Sequence, residues 1–305
     1  MALCDRDSAK LDALAPAFPG ARRYSRAEDL IDDPSLSIVA VASQDNDHHR
    51  QVVRALEAGK HVFSEKPLCL RADELCAIDR AWRTSGRRLS TNTVLRRSPR
   101  FRWLQDAVRS GRLGRLFSIE ADYVYGRLHK LVHGWRGQIP NYSVTLGGAI
   151  HLVDLVLWIA GERPVEVVAV ASDRGSRGSG FTGNDLVMAL LRFDSGLVAK
   201  VGANFASVHP HYHHVAVYGT DATFENTPSG DARLWTSRDS QRPFEPVTAP
   251  YPGVGKGDLI PAFVDAVLGH GEPDVSEAEV FAAVSVCLAI DSAAAERRTV
   301  QVRYV

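Results

Sequence analysis

A lysine followed by proline ends one of the apolar segments of this chain. Residues 59–67 read Gly-Lys-His-Val-Phe-Ser-Glu-Lys-Pro, so Lys66 and Pro67 directly follow a strand-like run. Proline disfavours helical backbone at the residue before it, and Lys66 is therefore expected to be extended. Ligands in open α/β sheets bind at the carboxyl ends of the strands. The position places the ammonium group of Lys66 at the edge of the sheet where ligands bind, and a solvated surface lysine is the alternative.

A histidine in an apolar helix is the second candidate for chemistry. His151 and Asp154 follow the paired glycines Gly147 and Gly148 and are three residues apart. Side chains at that spacing share a helix face, so we expect the carboxylate to orient the imidazole. Two glycines allow a ligand or another backbone to approach closely. A histidine satisfied within the core is the alternative.

Polar residues also follow two other strand-like runs. Asp5 ends the first run, where an acidic residue of a dinucleotide-binding fold bonds the adenosine ribose. Arg6 beside it is suited to stack on adenine or to meet a 2′-phosphate. Ser43 and Asp45 leave the strand Ser37–Ser43, and we expect them to cap the next helix and to face a cofactor. A solvated aspartate and simple helix capping are the alternatives.

The elements that must position these residues predict two domains. Over residues 1–95, short uninterrupted apolar strands alternate with helical patterns, which is typical of βαβ units and a doubly wound parallel sheet. Over residues 96–305, longer strand-like runs follow one another with a few helices between them. That order indicates an α+β domain with a largely antiparallel open sheet. The predicted strands of this second domain are Leu116–Tyr125, Val165–Ser172, Asp185–Phe193, Gly196–Phe205 and His214–Gly219.

The glycine-rich turn of a dinucleotide-binding fold is expected about 20 residues before its ribose-binding acid. Only four residues precede Asp5, and Gly20 and Gly59 end helices. We therefore expect the sequence as given to lack the first βα unit of the sheet. Met1–Leu3 would then have no partner on one side or would pair with Ser37–Ser43. A start codon placed too late is a further reading.

Composition excludes several classes of function. Lys plus Arg and Asp plus Glu are 36 each, so no net charge attracts nucleic acid or an anionic membrane. No apolar run approaches the ~18 residues of a membrane span, and the N-terminus has no signal-peptide pattern. The four cysteines form no CxxC pair and have no zinc-site spacing with histidines, which predicts thiols in a reducing cytoplasm. Alternation on a strand would split the histidines of His209–His214 between two faces, so no metal site is expected.

The motifs resemble those of the glucose-fructose oxidoreductase and inositol dehydrogenase-like family of NAD(P)-dependent oxidoreductases over nearly the whole chain. The family's Thr-Pro-Asn-x-x-His segment resembles Ser43–His48, and its Ala-Gly-Lys-His-Val…Glu-Lys-Pro block is present as Ala58–Pro67. Its Arg-x-Ser-Pro segment is similar to Arg97–Pro99. The helix that carries its active-site histidine is similar to Gly148–Trp158.

The resemblance implies hydride transfer between NAD or NADP and a sugar, polyol or related hydroxy compound. Lys66 would bond the reacting oxygen, and His151 would act as general acid or base. The residues expected to contact the cofactor are Asp5, Arg6, Ser43, Asp45, His48, Glu65 and Lys66. Substrate contacts are expected in the second domain, from Tyr123, Arg127, His129, Trp135 and Asp154. A homo-oligomer associating through the open sheet face is also implied.

The chain departs from the family pattern at two places. Many relatives carry an aspartate four residues before the catalytic histidine, where this chain has Gly147. The proline and asparagine of the cofactor segment are Gln44 and Asp45 here. Together with the expected absence of the glycine turn, these departures leave a second reading open. In that reading the chain is a non-catalytic, cofactor-free relative that serves as a binding or oligomerisation module.

Overall fold

The computed structural model describes residues 1–140 and 142–305, which form two compact units. The first unit comprises Met1–Asn92 and Ile260–Glu277, and the second comprises Thr93–Leu259 and Ala278–Val305. The sequence places a single boundary after residue 95. It does not reveal that a late segment returns to the first unit, where the Ser90 hydroxyl donates to the Val275 carbonyl at 2.8 Å.

Short strands and helices alternate through the first unit. The strands of the chain are β1 (Ala2–Cys4), β2 (Arg22–Tyr24), β3 (Ile38–Val41), β4 (His61–Ser64), β5 (Leu89–Thr91), β6 (Leu116–Val124), β7 (Pro164–Ser172), β8 (Leu186–Phe193), β9 (Val198–Asn204), β10 (Tyr212–Gly219), β11 (Thr223–Asn226), β12 (Ala232–Trp235), β13 (Glu245–Pro246) and β14 (Val300–Gln301). The helices are α1 (Ser8–Leu14), α2 (Ala27–Ile31), α3 (His48–Glu57), α4 (Ala72–Ser85), α5 (Pro99–Arg109), α6 (His129–Val132), α7 (Ile150–Ala160), α8 (Ile260–Val267) and α9 (Glu277–Glu296).

Two parallel sheets organise the first unit. Strands β3, β4 and β5 are adjacent and parallel, and β1 pairs in parallel with β2. Val62 and Leu89 are fully buried, as expected where helices cover both faces of a parallel sheet. The predicted parallel α/β architecture is confirmed. Within the described residues β1 has β2 as its one partner, so it does not form the alternative pairing with β3.

A nine-stranded sheet dominates the second unit. Its strand order is β13-β12-β11-β10-β6-β9-β8-β7-β14, and every neighbouring pair is antiparallel except β6 and β9. The predicted, largely antiparallel sheet is therefore confirmed. The sequence misses the strands β11 to β14, because runs of two to four residues carry too little alternation to stand out.

The two faces of this sheet differ in their exposure. On one face Ile119, Ala121 and Val201 are buried, and α7 packs against β6 and β9. On the opposite face Val170 is 65% exposed and Leu190 is 52% exposed. Alternating side chains explain the difference, since successive residues of a strand point to opposite faces. The second face thus carries apolar side chains that nothing in the described chain covers.

The helical segment that carries His151 begins before the paired glycines, earlier than the sequence suggests. A π-helical turn occupies Thr145–Ala149, and α7 begins at Ile150. A Cβ atom at Gly148 would lie 2.7 Å from the Phe205 ring and 2.8 Å from the Tyr123 ring. Glycine is therefore required where these rings pack against the backbone. Single π turns within α-helices are frequent at functional sites.

Helix α9 is long and apolar enough, by length and composition alone, to cross a membrane. The prediction that no apolar run approaches this length missed α9, because Asp291 interrupts its apolar residues. In the structure 61% of its apolar window is buried inside the protein. This burial is the pattern of a core helix, and it gives only weak evidence for a membrane span.

Candidate active site

Lys66 follows β4, at the carboxyl edge of the three-stranded parallel sheet. Val41 and Ser64 are paired at the ends of β3 and β4, and the Glu65 amide donates to the Val41 carbonyl at 2.7 Å. The ladder thus continues to the residue before Lys66. The peptide bond between Lys66 and Pro67 is cis, and the lysine is half-buried.

The residues on both sides of Lys66 are held by side chains from other segments. The Asn92 side-chain amide, just past β5, donates to Glu65 Oε1 at 2.8 Å. On the other side, the Pro67 carbonyl lies 2.7 Å from Nδ1 of His48. The Glu65 carboxylate, expected to contact the cofactor, is thus engaged in joining two strand ends.

The prediction that His48 contacts the cofactor is wrong. The imidazole is completely buried, and its Nε2 lies 3.1 Å from the Ser43 carbonyl. With both ring nitrogens against backbone carbonyls of neighbouring loops, the side chain has no surface left for a cofactor. The motif pattern singled out the right residue, but it connects the loops that follow β3 and β4 and does not contact a ligand.

The loop after β3 is organised by contacts other than the expected helix caps. The residue before α3 is Asp47, whose carboxylate makes no capping hydrogen bond and accepts from Arg50 at 2.7 Å. The Ser43 hydroxyl donates to Gln51 Oε1 at 2.8 Å, across the first turns of α3. Asp45 is buried in the short 3₁₀ turn that precedes the helix. Ser43 is half-buried and remains close to the sheet edge.

Asp5 lies just beyond β1, at the position where a ribose-binding acid is expected. Its Oδ1 accepts from the Asp7 amide at 2.9 Å, and Lys10 lies 3.9 Å from its Oδ2. Asp7 in turn caps α1 through the Ala9 amide. Asp5 keeps a partly exposed carboxylate, and Arg6 is exposed.

An aromatic cluster surrounds His151 in the second unit. The imidazole is half-buried and stacks on the Tyr123 ring, with 6.0 Å between centroids and 15° between planes. Tyr125 and Phe205 also stack on Tyr123, at 5.6 and 5.8 Å. Tyr123 itself is only 6% exposed, and burial raises the pKa of its phenol. It therefore forms the base on which the histidine ring rests.

Two further histidines complete this cluster, and sequence reasoning weighed them only as metal ligands. His211 and His213 lie 5.0 and 5.3 Å from the Tyr123 ring. Burial lowers the pKa of His211 to about 4, helped by the positive charge of Arg127, and that of His213 to about 3. Both rings are therefore neutral near pH 7. The spacing of two residues on one strand face was the signal that could have revealed them.

The Tyr251 hydroxyl contacts both the backbone and the ring of His213. The His213 amide donates to this oxygen at 2.8 Å, and the hydroxyl lies 2.7 Å from Nδ1 of the same residue. Burial raises the pKa of Tyr251 to about 12, so the phenol keeps its proton at neutral pH. His214, on the opposite face, lies 3.4 Å from Asp122.

The remaining predicted substrate residues lie in the loop after β6. The Arg127 guanidinium lies 5.0 Å from the centre of the Tyr125 ring. His129 is exposed at the start of α6, and Trp135 is half-buried with Arg136 over its ring at 4.3 Å. Arg127 therefore adjoins the aromatic cluster directly. Among the described residues no group of three His, Cys, Asp or Glu side chains is arranged to hold a metal.

The prediction that Asp154 contacts the substrate is wrong. Asp154 is 1% exposed, and its two carboxylate oxygens accept from Nε and Nη2 of Arg96 at 2.8 and 2.7 Å. Burial disfavours the charge of Arg96, but Asp154 and Glu279 overcome this effect and raise its pKa. A fully buried carboxylate in a bidentate pair is not placed to bind a substrate. Sequence spacing could not reveal the partner, which is 58 residues away along the chain.

A second carboxylate, half-buried on α9, supports the π-helical turn before α7. The Ser143 hydroxyl donates to Asp291 Oδ2 at 2.6 Å and accepts from the Leu146 amide at 3.0 Å. Burial raises the pKa of Asp291. This aspartate of α9 fixes the approach to the His151 helix, and no motif in the sequence indicates it.

Two family models match the chain. The model described as "Oxidoreductase family, NAD-binding Rossmann fold" matches residues 1–93, and the GFO/IDH/MocA C-terminal domain matches residues 101–225. The 1,5-anhydro-D-fructose reductase of Ensifer adhaerens is 28% identical over 291 residues, which cover 92% of this chain and 84% of that protein. An uncharacterized oxidoreductase of Rhizobium meliloti, ORF334, is 32% identical over 246 residues, or 77% of this chain and 70% of the relative.

Solved structures share the fold. A levoglucosan dehydrogenase in complex with NADH superposes with a TM-score of 0.87 at 22% identity. The match covers 99% of this chain and 89% of the dehydrogenase. At this identity the likeness establishes the architecture of both units.

The Arg96–Asp154 pair yields a prediction about stability. Replacing Asp154 with alanine leaves a buried guanidinium without its bidentate partner, and we expect a loss of about 3–5 kcal/mol in the free energy of unfolding. Urea denaturation measures it. Glu279→Ala is the matched control, because this carboxylate contacts the same arginine but is 38% exposed, and its loss should cost less than about 1 kcal/mol. Equal losses for the two variants would contradict the structural role of Asp154.

Proposed function

The chain belongs to the GFO/IDH/MocA family of oxidoreductases, and on that premise we propose that it transfers a hydride between NAD and a hydroxyl-bearing carbon of a sugar or polyol. The observation that carries the proposal is Lys66 at the end of β4, held from both sides at the carboxyl edge of a parallel sheet. Ligands of open α/β folds bind at this edge.

The residues at the sheet edge fit a dinucleotide. The partly exposed carboxylate of Asp5 can accept hydrogen bonds from the ribose hydroxyls, and Arg6 can stack on the adenine. A carboxylate at this place repels a 2′-phosphate, which favours NAD over NADP. The nicotinamide would lie at the ends of β3 and β4, close to the residues that follow these strands: Ser43, Asp45 and Lys66. When bound, that ring accepts or gives the hydride.

Lys66 and His151 take the two roles that the oxygen of the substrate requires. As the carbon of an alcohol loses hydride, its oxygen must lose a proton and carry negative charge in the transition state. The ammonium group of Lys66 donates a hydrogen bond to this oxygen and stabilises its charge. His151 accepts the proton, since an imidazole titrates near neutral pH. In the reduction direction the same groups return the proton to the carbonyl oxygen.

The cluster around His151 supports a polyhydroxylated ring as substrate. Tyr125 provides a flat apolar surface that rests on the buried Tyr123 ring, and Arg127 adds hydrogen-bond donors beside it. His211 is neutral because of its low pKa, so it can exchange hydrogen bonds with hydroxyl groups without introducing a charge. The relatives named for anhydrofructose and levoglucosan act on compounds of this class.

The exposed apolar face of the large sheet supports self-association. Val168, Val170, Met188 and Leu190 lie side by side on β7 and β8, each at least 45% exposed. Contiguous apolar patches of this kind mark protein interfaces. We propose that a second copy of the chain covers them, which gives a homo-oligomer.

Charge and cysteine chemistry complete the proposal. The balance of 36 basic and 36 acidic residues gives no field that would attract nucleic acid or an anionic membrane. Cys4, Cys69, Cys76 and Cys287 form no disulfide in the described chain, and burial raises the pKa of Cys69. Cysteines without disulfides suit the reducing cytoplasm.

Substitution of Lys66 tests the catalytic role. We expect Lys66→Ala to lower kcat by about 10²–10⁴-fold, because the reacting oxygen loses its hydrogen-bond donor. The assay follows NADH absorbance with 1,5-anhydro-D-fructose, and the reverse reaction uses NAD with levoglucosan or myo-inositol. Lys256→Ala, an exposed lysine remote in sequence, is the control and should keep the activity of the parent. Undiminished turnover in Lys66→Ala would refute the assignment.

Charge placed on the open sheet face tests self-association. The double variant Met188→Lys and Leu190→Lys should have a smaller mass in solution than the parent, because an ammonium group cannot be buried without a partner. Sedimentation velocity measures the mass. Leu268→Lys, at the end of α8 and 62% exposed, serves as the matched control. The proposal fails if the parent is monomeric, or if the double variant keeps the mass of the parent.

A further inference from the structure

The two neighbours of Lys66 in the chain are each held by a hydrogen bond from a separate segment. Asn92 binds the side chain of Glu65, and His48 lies against the carbonyl of Pro67. These contacts fall on the residue immediately before Lys66 and the residue immediately after it. The residues on both sides of Lys66 are therefore fixed, although Lys66 itself lies beyond the end of β4.

The contact with His48 holds the backbone of Pro67 through its carbonyl group. Proline has no N–H, so its carbonyl is its sole backbone hydrogen-bonding group. The separation of 2.7 Å between Nδ1 and this oxygen is that of a short N–H···O bond. A carbonyl oxygen can only accept, so Nδ1 is the donor in this contact.

The other side of the imidazole reaches the loop after β3. Nε2 lies 3.1 Å from the Ser43 carbonyl, and the ring is wholly inaccessible to solvent. His48 is also the first residue of α3, so its Cα is fixed by the helix. One buried ring thus spans the loops that leave two neighbouring parallel strands. An apolar side chain would fill the same space but would leave the Pro67 carbonyl unsatisfied.

We propose that His48 is a positioning residue for catalysis: by donating from Nδ1 to the Pro67 carbonyl, it sets the position from which Lys66 reaches the reacting oxygen. The inference rests on the proposed role of Lys66. Misplacement of a catalytic group by about 1 Å costs on the order of 100-fold in rate. A rigid clamp on the neighbouring residue is therefore sufficient to control turnover.

Isosteric variants separate this role from simple filling of the core. Asparagine presents an N–H donor near the place of Nδ1, glutamine presents one near Nε2, and alanine presents neither. We expect His48→Asn to keep kcat within about threefold of the parent, and His48→Gln and His48→Ala to lose about 10- to 100-fold. The KM for NADH should change little in all three, because the ring does not contact the cofactor. His49→Ala is the matched control, one residue along the same helix and partly exposed.

A readout independent of turnover follows the loop itself. Hydrogen exchange, measured by mass spectrometry on peptides covering residues 64–70, should accelerate in His48→Ala and His48→Gln. It should remain as in the parent in His48→Asn and His49→Ala. Thermal melting of each variant gives the global stability. Assays are run at least 15 degrees below the lowest midpoint, where on the order of several kcal/mol of stability remains.

The outcomes distinguish the two proposals. If His48→Ala stays folded with kcat and loop exchange of the parent, the positioning role is overturned. It is equally overturned if all three variants lose activity only in proportion to their stability. If Lys66→Ala retains turnover, the proposed function of the lysine fails, whereas the clamp on the loop is still judged by hydrogen exchange alone.

Discussion

The candidate site around Lys66 depends on the geometry of parallel strands. Strands that run in the same direction deliver their carboxyl ends to one edge of the sheet, and the loops that follow them must be held there. In this chain β3, β4 and β5 end together, and two side chains join their exits: His48 links the first loop to the second, and Asn92 links the second to the third. Lys66 lies between these two connections.

The sequence predicted most of the first unit because its signals are local. Uninterrupted β-branched runs, helical spacing and the Lys66-Pro67 pair each arise within a few residues, so the strands, helices and candidate lysine were accessible. The role of His48 was not, because a motif shows which residue recurs but not which atoms its ring contacts. The return of Ile260–Glu277 to the first unit was likewise hidden, since it depends on tertiary contacts such as that between Phe63 and Phe263.

The second unit shows the same division between local and distant information. Alternation predicted the long strands, while the shortest ones carried too few residues to be recognised. Asp154 appeared as a helical neighbour of His151, yet its charge is neutralised by Arg96 from another segment. His211 and His213 were considered as metal ligands, whereas their low pKa values and aromatic surroundings suit neutral hydrogen bonding to hydroxyl groups. Burial decides these roles, and sequence spacing does not report it.

Transfer of an isotopic label tests the proposed hydride transfer between NADH and a sugar. NADH deuterated at C4 of the nicotinamide is incubated with this chain and 1,5-anhydro-D-fructose, and the reduced sugar is examined by mass spectrometry and NMR. We expect one deuterium to move to the carbon that bore the carbonyl, with solvent supplying the hydroxyl proton. If the chain binds no NADH and transfers no label to any member of a panel of sugars and carbonyl compounds, the proposal is contradicted and the non-catalytic binding module is favoured.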